Sequence, residues 1–178
     1  MNFCGHCGAR VALRIPEGDN VERYICDACG TVHYQNPKLV VGCVAEHEGS
    51  IVLCRRGIEP RRGYWTMPAG FMENGETLQQ AAARESREEA LIDVDIGSLL
   101  AIVHVLYAHQ VHVFFRGRLR NPSYGAGAES LEVKLVRPEQ IPWPELAFPS
   151  TEFALRRYLD DQGAAREECH FAELARRF

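Results

Sequence analysis

The chain has 178 residues, a formal net charge of −4 and a hydrophobic fraction of 46%. This length allows one main domain with a small appendage, and the hydrophobic fraction is sufficient for a packed core. The acidic balance argues against broad nucleic-acid binding, which normally needs a basic face. No apolar run reaches the length of a membrane span and the N-terminus lacks a signal-peptide pattern, so we expect a cytoplasmic protein.

Two CxxC pairs near the N-terminus predict a metal site. Their cysteines are Cys4, Cys7, Cys26 and Cys29. The spacing is typical of a four-cysteine zinc ribbon, in which a closed tetrahedral site is structural. Iron in a rubredoxin-like site is the chemical alternative. His6 and His33 lie nearby, but four thiolates already complete the shell, so we expect neither histidine to be a ligand.

The middle of the chain predicts a sheet with helices. Apolar runs predict strands at 39–45, 50–54, 64–67, 94–106, 111–119 and 131–136. Residues 47–49 predict a hairpin, and alternation within 111–119 predicts one wetter face. Residues 151–159 have the pattern of an amphipathic helix. Three histidines are interpreted as strand or turn residues, because their spacing does not require a metal: His104, His109 and His112.

The stretch from Gly70 to Ile92 carries the strongest chemical signal. Glu85, Glu88 and Glu89 follow an i, i+3, i+4 spacing and so share one face of a helix. Three like charges this close repel one another, and a divalent cation would neutralise them. Carboxylate oxygens are hard ligands that suit Mg²⁺ or Mn²⁺ better than zinc. The plain alternative is a solvated acidic helix face.

Two further features support a functional interpretation of this helix. Thr77 and Gln80 form a capping-box pattern that predicts where the helix begins. Arg84 cannot bind a metal, and its expected partners are Glu76 and, at i+4, Glu88. We therefore expect Arg84 to orient the carboxylates.

Residues 164–178 place apolar side chains at helical spacing. They are Phe171, Leu174, Ala175 and Phe178. The spacing predicts an amphipathic helix whose apolar stripe must pack against something. Packing within the chain and a homodimer contact are the two alternatives.

The acidic stretch resembles the Nudix box, G-x5-E-x7-R-E-U-x-E-E-x-G-U, in which U is apolar. The matching positions are Gly70, Glu76, Arg84, Glu85, Glu88, Glu89 and Ile92. Two positions differ. Ser86 replaces the first apolar residue, and Leu91 replaces a glycine that usually ends the helix in a left-handed conformation. Leu91 is expected to cost about 1 kcal/mol if that geometry is kept.

The resemblance implies an α/β fold, an α/β/α Nudix sandwich with a mixed sheet behind a small zinc ribbon. The expected boundaries are 1–36 for the ribbon, 37–160 for the Nudix domain and 161–178 for a helical tail. Over roughly 4–160 the chain resembles the zinc-ribbon Nudix hydrolases that act on ADP-ribose and FAD. The NADH pyrophosphatases are a more distant resemblance, because their SQPWPFP-type motif is absent from IVHVLYAHQVHVFF after the box.

The resemblance also implies a chemistry. Mg²⁺ or Mn²⁺ would be held by Glu85, Glu88 and Glu89, with the Gly70 carbonyl as a further candidate. The expected reaction is hydrolysis of the pyrophosphate in a small nucleoside diphosphate-linked compound, giving a nucleoside monophosphate and a phosphate ester. A downstream carboxylate usually serves as base or extra ligand in the family. Two residues are candidates for that role, or are simply surface glutamates: Glu129 and Glu132.

Substrate contacts are expected from basic and aromatic residues around the box. Arg55 and Arg56 are candidates for binding a phosphate or a terminal ribose, or they form a solvated basic turn. Phe71 is expected to stack on adenine, by similarity to the NADH pyrophosphatases. Trp65 is a second stacking candidate, with a core position as the alternative.

Three other functions are alternatives to this prediction. Hydrolysis of oxidised nucleoside triphosphates is the main rival, because the box by itself does not choose the substrate. A nucleic-acid-binding module would need a basic ribbon, whereas acidic residues intersperse the basic ones between Cys4 and Cys29. A ligand-sensing regulator would typically have lost box carboxylates, and here they are intact.

Overall fold

The computed structural model describes residues 1–175. The chain divides into two compact units, Met1–Pro37 and Lys38–Phe178. Each unit contains its own sheet. No helix among the described residues is long and apolar enough to cross a membrane.

The first unit is a small three-stranded antiparallel sheet. Its strands, in spatial order, are β1 (Val11–Arg14), β2 (Arg23–Cys26) and β3 (Val32–His33). Each CxxC pair leads into a tight turn, in which Gly8 donates its amide to the Cys4 carbonyl at 3.0 Å and Gly30 donates to the Cys26 carbonyl at 2.8 Å. Both glycines have a positive φ, which residues without a Cβ adopt at little cost.

The second unit is built on a mixed sheet. Its strands are β4 (Lys38–His47), β5 (Ser50–Arg56), β6 (Trp65–Thr66), β7 (Ala69–Phe71), β8 (Val94–Val105), β9 (Gln110–Leu119), β10 (Ser130–Val136) and β11 (His170–Leu174). The order is β10-β5-β4-β9-β8-β11, with β6 paired to β5 and β7 to β4. The β4–β9 and β8–β11 pairs are parallel. The six strands predicted from the sequence are confirmed, with small shifts at their ends.

Two helices cover opposite faces of this sheet, α1 (Leu78–Ala90) and α2 (Pro149–Ala164). Successive side chains of β5 point to opposite faces of the sheet and so belong to two different core layers. Val52 belongs to the core cluster that contains the alanines of α1, and Leu53 to the cluster that contains Ala154 and Leu155 of α2. The predicted α/β/α sandwich is therefore confirmed. Short 3₁₀ turns lie at Leu106–Ala108, Pro138–Gln140 and Trp143–Glu145.

Helix α1 begins as its sequence predicts, and it ends at a left-handed leucine. The Gln80 amide donates to the Thr77 hydroxyl at 3.2 Å, and the Thr77 amide donates to the Gln80 side chain at 2.8 Å, which completes the capping box. Leu91 follows the last helical residue with φ 52° and ψ 34°, a left-handed conformation. A leucine therefore adopts the geometry for which glycine is usual, with the strain expected from its Cβ.

The prediction of a wetter face on β9 is wrong. His112, Phe114 and Arg116 all lie on that face and are buried, and Arg118 alone of the alternating set is exposed. The reason is that α2 covers this face, so both sides of a central strand are shielded from water. The His112 ring contacts the Ser150 hydroxyl at 2.9 Å, at the start of α2.

The predicted helix over 164–178 is also wrong. Helix α2 continues to Ala164 and ends at the left-handed Ala165, after which His170–Leu174 forms β11, parallel to β8. The helical spacing was misleading because the backbone of this segment pairs with a strand that is distant in sequence. Phe171 is 70% exposed on β11, and Phe178 lies outside the described residues.

A buried ion cluster fastens β11 to the sheet. The Asp161 carboxylate accepts hydrogen bonds from Arg116, from His170 at 2.9 Å and from Arg166 at 3.2 Å. Burial acts to raise the pKa of Asp161, but the bonds from His170, Arg166 and Arg116 outweigh it, so the pKa is lowered. Arg116 also donates to the Glu168 carbonyl at 2.9 Å, which ties the segment before β11 to β9.

Candidate active site

Arg84 is the centre of a network of carboxylates on α1 and in the loop before it. It donates to Glu76 at 2.8 and 3.1 Å, to Glu85 at 2.6 Å and to Glu88 at 3.0 Å. The same guanidinium donates to the Phe71 carbonyl at 3.0 Å, which links α1 to β7. The Arg84 hydrogen bond holds the pKa of Glu76 below its usual range. The predicted pairing of Arg84 with Glu76 and Glu88 is confirmed.

Glu85 lies against β7. A Cβ placed on Gly70 would collide with the Glu85 carboxylate, so only glycine leaves room for it there. Gly70 is itself held by pairing with Val41 of β4. Burial raises the pKa of Glu85, Arg84 opposes the rise, and the charges of Glu88 and Glu129 add to it.

Glu89 is the most buried of the three helix glutamates. Its carboxylate accepts a hydrogen bond from the Ala69 amide at 3.1 Å. Burial raises the pKa of Glu89 to about 7, the Ala69 amide and Arg56 oppose the rise, and the charges of Glu85 and Glu129 reinforce it. The site therefore gathers more negative charge than its own cations neutralise.

This donor set fits a divalent cation. Hard carboxylate oxygens with raised pKa values gain most from a bound Mg²⁺ or Mn²⁺, which favours their ionised form. Among residues 1–175, however, only the four cysteines bring three or more ligand atoms within 4.8 Å of one another. Arg84 bonds to both Glu85 and Glu88, so a cation held by both carboxylates would compete with this guanidinium.

Strand alternation separates the two downstream candidates. Glu132 pairs with Arg55 across β10 and β5, on the face of the sheet that α2 covers, and it contacts Arg55 and Lys134. That face is opposite to the one that carries α1. Glu129 precedes β10, and its charge acts on both Glu85 and Glu89. The structure thus brings Glu129, and not Glu132, to the helix carboxylates.

The four expected substrate contacts differ in their positions. Arg56 lies on the α1 side, where its charge acts on Glu89, while Arg55 points to the α2 side with Glu132. Phe71 is 49% exposed, and the Lys38 ammonium lies 5.1 Å from its ring centre. Arg56 and Phe71 therefore remain candidates for contacts with the substrate.

The burial of Trp65 contradicts its predicted stacking role. Only 7% of Trp65 is exposed, and it belongs to the core cluster under α2. The Lys134 ammonium lies 5.1 Å from its ring centre. Strand β6 pairs with β5 and so carries Trp65 into the sheet, which makes it a packing residue.

Sequence reasoning missed the backbone groups that complete the site. The Ala69 amide, which donates to Glu89, follows from the pairing of β7 with β4 and leaves no mark on side-chain patterns. The hydrogen bond from the Gly57 amide to the Glu129 carbonyl, and that from the Gly127 amide to the Glu89 carbonyl, were missed as well. The run GAGAE at 125–129 was the available signal, since glycines beside a candidate glutamate permit close backbone approach.

The cysteines of the first unit form a compact cluster. Their four sulfurs lie within 4.8 Å of one another, with Cys4–Cys29 at 3.7 Å and Cys7–Cys26 at 3.4 Å. Four thiolates at this separation fit a tetrahedral zinc ion. The His33 ring lies 3.2 Å from the Cys4 sulfur, so His33 contacts the cluster through a hydrogen bond although it is not one of the four ligands.

Comparison with known proteins finds a family model for each part of the chain. A model of the zinc-ribbon family described as Nudix N-terminal matches residues 2–35, and the NUDIX domain model matches residues 36–158. The chain belongs to the Nudix family. A solved Nudix hydrolase from Nitrosomonas europaea shares 47% identity, covers 97% of this chain and 98% of its own, and superposes with a TM-score of 0.93.

Curated relatives of this chain carry two kinds of activity in their names. An NAD-capped RNA hydrolase, NudC, of Vibrio atlanticus is 38% identical over 96 residues, which are 53% of this chain and 33% of that protein. An ADP-ribose pyrophosphatase of Methanocaldococcus jannaschii is 35% identical over 69 residues, 39% of this chain and 41% of that protein. The chain thus spans only about a third to two fifths of the length of these two relatives.

The two departures from the Nudix box are accommodated locally. Ser86 is fully buried, and its hydroxyl donates to the Ala82 carbonyl at 2.7 Å, so its polarity is satisfied inside the helix. Leu91 keeps the left-handed helix exit of the family's glycine, and its side chain is 55% exposed.

Proposed function

We propose that this Nudix hydrolase cleaves the pyrophosphate bond of nucleoside diphosphate-linked compounds such as ADP-ribose or FAD, with Mg²⁺ or Mn²⁺. The observation that carries the proposal is the contact of the Glu85 carboxylate with Gly70 among other acidic groups. The charge of Glu129 acts on both Glu85 and Glu89, and Arg84 bonds to Glu76 and Glu88. Such a cluster of under-neutralised carboxylates favours a substrate that arrives with cations, as pyrophosphates do.

Each residue has a distinct part in the proposed reaction. Glu85, Glu88 and Glu89 would hold the cation, with the Gly70 carbonyl as a further ligand. When bound, the ion neutralises charge on the phosphate oxygens and lowers the pKa of bound water. Glu129 accepts the proton of the attacking water, whose oxygen bonds to one phosphorus while the bridging P–O bond breaks. The bridging oxygen leaves on the other phosphate, which gives a nucleoside monophosphate and a phosphate ester.

Arg56, which precedes the box, and Phe71, which follows its first glycine, support binding of a nucleotide. The charge of Arg56 opposes the rise in the pKa of Glu89, and the Arg56 guanidinium lies 5.0 Å from the Phe148 ring centre, which holds it in place. A positioned guanidinium suits a phosphate group. The exposed ring of Phe71 suits stacking of adenine. Zinc in the ribbon would be structural.

Hydrolysis of NADH or of an NAD cap on RNA is the second candidate. It is favoured by the name of the NudC relatives, one of which, from Stutzerimonas stutzeri, aligns over 92% of this chain at 27% identity. The same carboxylates would serve, since the bond that breaks is again a pyrophosphate. Oxidised nucleoside triphosphates are the third class of substrate to be compared.

The test is a substrate panel assayed with Mg²⁺ and separately with Mn²⁺, with products resolved by chromatography. The panel contains ADP-ribose, FAD, NADH, an NAD-capped RNA and 8-oxo-dGTP. AMP release from ADP-ribose or FAD, lost in Glu85→Gln but kept in Glu73→Gln, supports the proposal. Turnover of 8-oxo-dGTP alone, or of the NAD-capped RNA alone, would overturn the substrate class.

A further inference from the structure

The loop that carries Glu129 is hydrogen-bonded to two elements that carry other residues of the site, α1 and the end of β5. This Glu129 loop, residues 120–129, connects β9 to β10. The Gly125 amide donates to the Ala90 carbonyl at 2.9 Å, and the Gly127 amide donates to the Glu89 carbonyl at 3.0 Å. The loop is therefore bonded to the last turn of α1, the same turn that presents Glu88 and Glu89.

Two glycines, Gly57 and Gly127, allow the backbone of the Glu129 loop to lie close to β5 and α1, because neither has a side chain. A Cβ on Gly127 would overlap the Glu88 carbonyl, a backbone atom that cannot swing aside. A Cβ on Gly57 would lie 2.9 Å from the Glu129 carbonyl, to which the Gly57 amide donates at 2.7 Å. Neither glycine has a positive φ, so both positions require the absence of a side chain and not an unusual conformation.

Leu91 adds a side-chain contact to the same loop. Its Cδ1 lies 3.3 Å from the place where a Cβ on Gly125 would be, so the leucine side chain packs against this glycine. Leu91 is also the residue that replaces the family's glycine and accepts a left-handed conformation. The strained residue thus provides a contact that glycine could not make.

We infer that Gly57, Gly127 and Leu91 are positioning residues that set Glu129 beside Glu85 and Glu89. The inference rests on the proposed role of Glu129 as the base. Gly57 extends from the end of β5 and Gly127 contacts the end of α1, so the backbone of Glu129 is held from two sides. The base is then pre-positioned before substrate binds, which is what efficient proton transfer needs.

The experiment compares turnover of Gly127→Ala, Leu91→Gly, Glu129→Gln and the double variant Gly127→Ala/Glu129→Gln on the best substrate of the panel. Gly163→Ala is the matched control, because nothing lies within 4 Å of its added methyl and its φ is ordinary. We expect Glu129→Gln to lower kcat about 100-fold and Gly127→Ala about 10-fold with KM unchanged. In the double variant Gly127→Ala should add nothing, since it acts through Glu129.

Leu91→Gly keeps the inference testable if Gly127→Ala does not fold. It should lower kcat several-fold and speed amide hydrogen exchange at Gly125 and Gly127, while Tm stays equal or rises because the left-handed strain is relieved. Wild-type kcat in Leu91→Gly, and in Gly127→Ala if that variant folds, together with an impaired Glu129→Gln, would overturn the positioning role. Additive losses in the double variant would do the same. Full activity in Glu129→Gln would instead refute the proposed base, and the positioning role with it.

Discussion

The Glu85 carboxylate lies so close to Gly70 that a methyl group at Gly70 would collide with it. One residue comes from helix α1 and the other from strand β7, so this contact sets how closely the helix approaches the sheet. Arg84 reinforces the approach by donating to the Phe71 carbonyl beside Gly70. The first glycine of the box is therefore explained by the space that the carboxylate needs.

Gly70→Ala should lower activity more than stability. The added methyl meets the far end of a flexible side chain, so Glu85 can rotate away at small cost in folding free energy, but its carboxylate leaves the cluster. We expect kcat to fall at least 10-fold with a change in Tm of a few degrees at most. Gly163→Ala, whose methyl meets nothing within 4 Å, is the control. Wild-type kcat in Gly70→Ala would show that Glu85 is not placed by this contact.

Glu89→Gln and Glu88→Gln should both lower kcat by about 100-fold, because each removes a carboxylate from the proposed cation site. Their effects on stability should differ. Glu89 is buried and burial raises its pKa to about 7, so its ionised form opposes folding above that pH, whereas Glu88 is exposed. At pH 8 without divalent ions, Glu89→Gln should therefore melt higher than the wild type and Glu88→Gln near it.

Thermal melting and steady-state kinetics measure this pair, with Glu73→Gln as the control outside the helix. The Ala69 amide can still donate to the glutamine oxygen at position 89, so the backbone contact is preserved. Turnover equal to the wild type in both variants would refute the ligand assignment. A Tm for Glu89→Gln below that of the wild type would show that the buried charge of Glu89 does not destabilise the folded protein.

His112 should make stability fall in acid. Burial lowers the pKa of His112 from 6.5 to about 4, so the unfolded chain binds a proton that the folded protein resists. The contribution of neutral His112 to the free energy of unfolding is complete above pH 6.5. It is lost as the pH falls towards 4, by about 3 kcal/mol in all. The free energy of unfolding, measured with denaturant between pH 4 and 7.5, should therefore depend less on pH for His112→Gln than for the wild type.

The exposed His104, on β8, provides the control for this pH dependence. His104→Gln should keep the slope of the wild type. Since other groups titrate in the same range, the informative quantity is the difference between the variant and wild-type curves. Parallel curves for His112→Gln and the wild type would show that His112 does not carry the acid sensitivity.

Cys26→Ser should lower both zinc content and Tm. Cys26 is fully buried and its sulfur lies 3.4 Å from that of Cys7, so serine removes one of four thiolates from the cluster. Structural zinc contributes free energy to folding, and a chelator should reproduce the loss in the wild type. Elemental analysis and melting measure the effect, with the exposed Cys169 as control in Cys169→Ser. Unchanged zinc and Tm in Cys26→Ser would refute the ribbon.

Local patterns determined the parts of the protein whose partners lie close in sequence. The capping box, the i, i+3, i+4 glutamates and the Arg84 pairs all form within one helix and the loop before it, so spacing alone predicts them. The CxxC pairs are likewise short turns whose geometry follows from residue type. For these features, the physical cause is contained in about a dozen neighbouring residues.

The tertiary structure decided whatever depends on pairing between distant segments. Glu129 and Glu132 look equivalent in the sequence. Only Glu132 lies within β10, where it pairs with Arg55 of β5 and faces the α2 side of the sheet, after a register shift near the start of the strand. Trp65 became a core residue because β6 joins β5, and residues 170–174 became a strand because β8 had a free edge. Helical or alternating patterns describe one segment, whereas hydrogen bonding and burial in a sheet are set by its neighbours.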